Sequence, residues 1–195
     1  MSYATLNQLK AALRLPSADT VDDTNLNLAL ASADEMIDSY CGRTFGTAGT
    51  ATTRYYAAAK ADTVDVDDCG TISTVEWSTD GTTWTVTTDY QAEPLNNRTD
   101  GMTWPTTLLR TTNNFAWPVM NGLQTVRVTA RFAYGSTPNS VVQASVLQAS
   151  RIFTRLSSPL GVAGWNDMGV MRIQAGLDVD VQQLLGPYRR VRAAL

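Results

Sequence analysis

The nearest approach to a chemical motif in this sequence of 195 residues is the acidic stretch from Asp65 to Glu76. Asp65, Asp67 and Glu76 stand first, third and twelfth in it and Gly70 stands sixth, the spacing of an EF-hand calcium loop. Cys69 takes the fifth place, where a hard cation needs oxygen and meets a soft thiol. The residues after Gly70 have strand composition, not the periodicity of an exiting helix. The stretch therefore reads as a solvated acidic turn between two strands. A carboxylate pair of glycosidase type is the remaining enzymatic option, and Asp65 and Asp67 in an open acidic cluster lend it no specific support.

The rest of the chemical inventory is empty. There is no histidine, which removes His-based triads, the usual general base at neutral pH and the commonest zinc ligand. Two isolated cysteines, Cys41 and Cys69, cannot build a structural zinc site and are too few for a disulfide framework. They read as free thiols in a reduced compartment. No GxxxxGK[ST] or GxGxxG sequence supports a phosphate cradle. The chain is expected to be no enzyme and to use no catalytic residue, cofactor or metal.

Aromatic and basic residues offer binding chemistry instead. Trp77 and Trp84 flank Asp80-Gly81 and could stack across a hairpin, as sugar-binding surfaces do, while Trp104 and Trp117 each precede a proline. Cross-strand aromatic pairs stabilise small sheets in their own right, so packing or subunit contact is the favoured reading. Thirteen of the fifteen basic residues are arginine, a type suited to forked pairing with carboxylate or phosphate. The formal charge is -3 and unevenly spread. Acids dominate from Lys60 to Asp100, and arginines dominate after Pro138, ending in Arg189, Arg190 and Arg192. A dedicated duplex-binding domain would be clearly basic, and this chain is not. No run approaches the roughly 18 apolar residues that span a bilayer, so a soluble protein is expected.

The elements that would position these residues run as helices, strands, then helices. Thr5 and Gln8 have capping-box spacing before Leu6, Leu9 and Leu13, and Pro16 is the expected stop. Asp22 or Asp23 caps a second helix carrying Leu26, Leu30, Ala33, Ile37, Tyr40 and Cys41 at three-to-four spacing, with Gly42 as its stop. From Thr47 to Gly135 the composition turns to Thr, Val, Trp and Tyr with turn residues. Asp80-Gly81 is the clearest hairpin signal, and Val126, Val128, Ala130, Phe132 and Tyr134 alternate with polar residues as a half-buried strand does. Thr137-Pro138 opens a third helix with proline at its first position and Val142, Val146, Ala149, Phe153 and Leu156 as its apolar stripe. The Ser158–Arg190 part follows as a loop, a short strand, an Asp-capped helix turn, a Gly-Pro stop and a basic tail. The expected class is α+β: a small helical bundle of N- and C-terminal helices, residues 1-46 and 136-195, with an inserted antiparallel β domain, residues 47-135.

Four segments carry a family resemblance: Thr5-Leu6-Asn7-Gln8-Leu9-Lys10 through Leu15-Pro16; Ile37-Asp38-Ser39-Tyr40-Cys41-Gly42-Arg43-Thr44-Phe45; Val126 through Gly135; and Ser158-Pro159-Leu160-Gly161-Val162 to Leu184-Leu185-Gly186-Pro187-Tyr188-Arg189-Arg190. In this order and combination they resemble the head-tail connector (adaptor) proteins of long-tailed bacteriophages, the gp6-like family. The middle, Thr47 to Gly122, shares only β character with it. The resemblance implies a structural virion protein of the neck, assembled in the host cytoplasm. It implies a homo-oligomeric ring, commonly of twelve copies, seated under the portal protein and joining the head to the stopper and tail, with DNA passing through the lumen without sequence-specific binding. On that reading Leu184, Leu185, Tyr188, Arg189, Arg190 and Arg192 dock on the portal, and Leu26, Leu30, Ile37, Tyr40, Val142, Val146 and Phe153 pack neighbouring copies together. The competing readings are a β-rich carbohydrate-binding or adhesion module of a phage particle, centred on the tryptophan hairpin, and a nucleic-acid regulator centred on the arginine tail.

Overall fold

The computed structural model describes residues 2–46, 49–99, 102–156, 162–163, 171–172 and 176–190. Two compact units emerge, residues 1–44 with 137–195, and residues 45–136. Helices from both ends of the sequence and an intervening antiparallel sheet make the α+β class expected from the sequence.

In the helical unit, local chemistry sets the first two boundaries. Thr5 Oγ1 accepts from Gln8 N at 3.2 Å, and Gln8 Oε1 accepts from Thr5 N at 2.7 Å, so both halves of the capping box open helix α1 (Leu6–Ala12). The helix stops before Pro16, with Arg14 in the left-handed region at φ 59°. Helix α2 (Asp23–Cys41) follows; its N-cap, Asp22, makes no side-chain capping bond. Asp23 lies instead 2.5 Å from Lys10 Nζ, a buried ammonium that also donates to the carbonyls of Asp19 (2.6 Å) and Ser17 (3.4 Å). Gly42 ends α2 at φ 64°, a conformation that costs an L side chain energy, and its N–H donates to Asp38 O at 2.8 Å.

Helix α3 (Asn139–Leu156) starts one residue after the expected proline, and the Pro138 carbonyl accepts from Val141 N and Val142 N. It buries more than one stripe, because α1 and α2 pack on it and so does helix α4 (Val179–Leu185). Val141, Ala144, Ser145 and Gln148 are therefore buried beside Val146 and Ala149, while Leu156, expected in the stripe, is exposed. Leu9, Leu26, Ala29, Leu30, Ala33, Val146 and Ala149 form a shared core, on which Leu6, Leu13, Val142 and Phe153 pack. Each fully buried leucine stabilises by about 1.5–3 kcal/mol.

The other unit is built from strands β1 (Thr52–Tyr56), β2 (Thr63–Trp77), β3 (Thr85–Val86), β4 (Tyr90–Glu93), β5 (Arg98–Thr99), β6 (Met102–Thr103), β7 (Thr106–Thr111) and β8 (Val126–Phe132). The main sheet has the order β1-β8-β2-β7-β4, with β3 beside β2, while β5 and β6 pair separately. Strand β8 buries Val126, Val128 and Ala130 in alternation, as its sequence requires. The acidic stretch is not a turn. It lies within β2, whose register shifts between Asp65 and Cys69 and again between Cys69 and Thr74. These shifts let one strand pair with β7 through its first half and β8 through its second, burying Asp68 and Cys69. Val64, Val66, Cys69, Val75, Leu109, Trp117, Val126 and Val128 make the core. Strands β9 (Val162–Ala163) and β10 (Met171–Arg172) form a further antiparallel pair.

Candidate assembly surface

The C-terminal segment closes back on the helices of its own unit. Asp178 caps α4, its carboxylate accepting from Asp180 N at 2.9 Å and pairing with Arg151 of α3. Gln148 Oε1 accepts from Asp178 N at 3.4 Å, and Gln182 Nε2 donates to Leu177 O at 2.8 Å. Val181 and Leu185 are fully buried. Gly186-Pro187 does not release the chain, because a 3-10 turn over Gly186–Tyr188 continues it and buries Tyr188. Arg190 N then donates to Cys41 O at 2.7 Å, satisfying a carbonyl in the last turn of α2. The Arg189 guanidinium lies 5.5 Å over the Tyr40 ring, at the helix end where the macrodipole favours a cation.

The residues expected to dock on a portal take these places in the chain. Leu185 and Tyr188 fill their own chain's core, Leu184 is half-buried, and the Arg190 backbone is tied to α2. Arg189 remains exposed. Arg192 lies outside the described residues. Of the residues expected to pack copies together, Leu26, Leu30, Ile37 and Val146 are buried in the chain, and Val142 and Phe153 pack against its helical core. Tyr40 is half-buried beside Arg189. Among the described residues, the large apolar side chains exposed on these helices are Leu28, Leu147, Leu156 and Val179, with Val21 exposed on the loop before α2; they interrupt polar faces and so escape a periodicity search.

Sequence reasoning also missed a buried carboxylate. Asp34 accepts from Ser2 Oγ (2.9 Å), Tyr3 N (3.0 Å) and Ser145 Oγ (2.6 Å), joining the N-terminal segment, α2 and α3. Tyr3 also donates to Asp38, whose carboxyl is pushed up by burial, with the tyrosine bond opposing that shift. The signal was present: Asp34 sits at helical spacing among Leu30, Ala33, Ile37 and Cys41. Burial pushes the Cys41 thiol up to about 11. On the same helix, Ser32, Glu35, Met36, Ser39 and Tyr40, with Leu177, line an open groove of about 540 Å³.

The sugar-binding geometry is not formed by the tryptophan hairpin. Trp77 meets Phe115 edge-on at 5.7 Å, and Trp84 meets Tyr55 at 5.6 Å, so each is engaged with a separate partner. Trp117 is buried and meets Phe115 at 5.0 Å. Asp80 stiffens the hairpin loop by accepting from Thr82 N and Thr83 N, bonds that hold its carboxyl well below the usual range. Among the described residues no group of three or more candidate ligands could hold a metal ion, and no helix is long and apolar enough to cross a membrane.

No family model matches the sequence, and no curated protein matches it. Solved structures do. A chain in the neck of an empty gene transfer agent particle, computed with C6 symmetry, aligns with a TM-score of 0.60 and 14% identity, covering 98% of this chain and 92% of that one. A chain in the neck of the native particle, computed with C12 symmetry, aligns at 0.53 and 14% identity over 98% and 93%. A chain of the native gene transfer agent virion aligns at 0.54 and 15% identity over 98% and 92%. Along almost its whole length the chain shares the fold of chains from the neck and virion of a gene transfer agent.

Proposed function

We propose that this chain is a structural neck component of a phage-like particle: a head-to-tail connector (adaptor) that assembles into a ring under the portal vertex. The ring joins the DNA-filled head to the stopper and tail, and DNA passes through its lumen. The observation that carries the reading is the fold shared over 98% of the chain with neck chains in particles computed with C6 and C12 symmetry. Twelve copies is the ring size this favours. A head-to-tail contact that closes on itself needs two different faces on each copy, and α2 and α3 carry separate exposed leucines, Leu28 and Leu147, outside the chain's own core. The net acidic chain suits a lumen through which phosphate must slide without adhering.

Electron microscopy of the purified chain, alone and mixed with portal protein, tests the proposal. Closed rings in either sample support it. A strictly monomeric chain in both, with no density added to the portal, refutes it.

A further inference from the structure

We propose that the outward faces of α2 and α3 are the two halves of one contact between copies of this chain: the back of α2, marked by Leu28 and Glu35, receives the back of α3 of the next copy, marked by Leu147 and Arg151. This deepens the neck reading and rests on it only for the expectation that copies meet in a ring.

Helical spacing fixes the two faces. Leu26, Ala29, Leu30 and Ala33 of α2 share a core with Val146 and Ala149 of α3, and Ser145 Oγ donates to Asp34 between the helices. Leu28 stands two residues from both Leu26 and Leu30, and Leu147 two residues from both Ser145 and Ala149. Each therefore lies roughly 160° around its helix from residues that face the other helix. The two backs look in opposite directions from the α2–α3 pair, and both leucines are exposed there. Opposed, unlike faces on one subunit are what a head-to-tail contact uses, because each copy offers one face to the copy ahead and the other to the copy behind.

The match between the backs makes a second copy the occupant. Helix α2 carries Asp23, Asp34, Glu35 and Asp38 and no basic residue, while α3 carries Arg151 and Arg155 and no acid. Asp23, Asp34 and Asp38 are engaged within the chain by Lys10, Ser145 and Tyr3. Glu35 is exposed two turns beyond Leu28, and Arg151 stands one turn beyond Leu147. Arg151 pairs with Asp178, and the five donors of a guanidinium let it take a second carboxylate. Shape agrees with charge. Leu28 stands one turn before Ser32, which with Glu35, Met36 and Ser39 lines the open groove on α2. On the back of α3, Leu147 stands beside Ser150 and Thr154, whose hydroxyls donate to Val146 O at 2.8 Å and Ser150 O at 2.7 Å. Those O–H donors are already satisfied within their own helix, so covering them strands none. One back offers a recess and an acid, and the other offers a leucine and a cation.

Cysteine pairs read the contact directly. Cys41 and Cys69 are buried, so the wild-type chain should be inert to a short bismaleimide. Leu28→Cys and Leu147→Cys change exposed positions, and unchanged unfolding curves check that each variant keeps its fold. Gln143→Cys, one turn earlier on the same back, replaces Leu147→Cys if that curve shifts. The full chain bearing both cysteines, with portal protein present if rings need it, should give a ladder of covalent multimers. Each single variant should stay monomeric, and a mixture of the two should stop at dimers. Glu35→Arg added to the double-cysteine chain should slow the ladder several-fold, because like charges then meet. Dimers from either single variant alone overturn the proposal, since a like-to-like contact is two-fold and does not propagate. So does a double variant that stays monomeric, or a ladder that Glu35→Arg leaves unchanged. Electron microscopy of the same samples separates the two readings: wild-type rings without a ladder overturn this pairing and keep the neck assignment, whereas a ladder without rings keeps the pairing and refutes that assignment.

Discussion

Glu76 and Arg127 stand opposite each other in register on β2 and β8, and their side chains meet in a forked ion pair, Nε to Oε2 at 2.7 Å and Nη2 to Oε1 at 2.5 Å. The same guanidinium lies 4.7 Å over the Trp84 ring, which meets Tyr55 of β1. One arginine thus joins two central strands to the hairpin loop and, through that ring, to the edge strand. Planar forked donors suit this double use in a way lysine does not.

The pair should make the β unit sensitive to acid. Arg127 holds the Glu76 carboxyl below the ordinary glutamate range. A depressed folded value means that the stabilisation is present above the unfolded value, about 4.3, and is lost as pH falls through the folded one. Melting temperature followed from neutral pH downward should drop below about pH 4.5 in the wild type and less steeply in Glu76→Gln. Parallel acid limbs in the two proteins would remove the pair from this role.

Leu30 and Leu28 separate the internal from the external face of α2. Leu30 is 2% exposed and Leu28 is 65% exposed. Leu30→Ala should cost about 2–5 kcal/mol in denaturant unfolding, whereas Leu28→Ala should change the isolated chain by about 0.5 kcal/mol or less. If α2 meets a neighbouring copy, Leu28→Asp should reduce ring formation while leaving that unfolding curve in place. Rings that form equally well from Leu28→Asp would exclude this face.

What the sequence made legible was local. Thr5 and Gln8, Gly42, and the alternation of Val126, Val128 and Ala130 each report a short-range requirement, and each element formed where its residues demanded. Periodicity showed that Leu26, Leu30, Ile37 and Val146 need cover but not what covers them, and here the cover is the chain itself. Val181, Leu185 and Tyr188 had helical spacing, which was outweighed by Gly186-Pro187 read as a stop. Proline is tolerated in the first turn of a helix, so the chain continued and buried the tyrosine. The acids of β2 looked solvated because register shifts, which set which of them turn inward, leave no mark in composition.

Cys41 predicts an alkaline limb in the helical unit. Its thiol is pushed up to about 11, foremost by burial, from an ordinary value of 9.0. A raised folded value stabilises fully below the unfolded value and loses that contribution as pH rises through the folded one. Stability of the wild type should therefore decline between about pH 9 and 11, and Cys41→Ala, less stable at neutral pH, should decline less over that window. Identical slopes in the two proteins would assign the alkaline limb to another group.

Lys10 is the strongest test of how the helical unit is organised. Its ammonium is 3% exposed and is met by Asp23 and by the carbonyls of Asp19 and Ser17, so it fixes the loop between α1 and α2 from inside. Val21, at 86% exposed, is carried on that loop. Lys10→Met retains much of the packing volume but leaves Asp23 and two carbonyls without their cation, which should cost about 3 kcal/mol. Asp23→Asn in the Lys10→Met background removes the stranded charge, so the double variant should be more stable than the sum of the two single losses. Strictly additive losses in that cycle would mean that Lys10 acts through the loop carbonyls alone. Hydrogen exchange distinguishes the two cases, since the carbonyl role predicts faster exchange in residues 15–22 for Lys10→Met and none for Asp23→Asn.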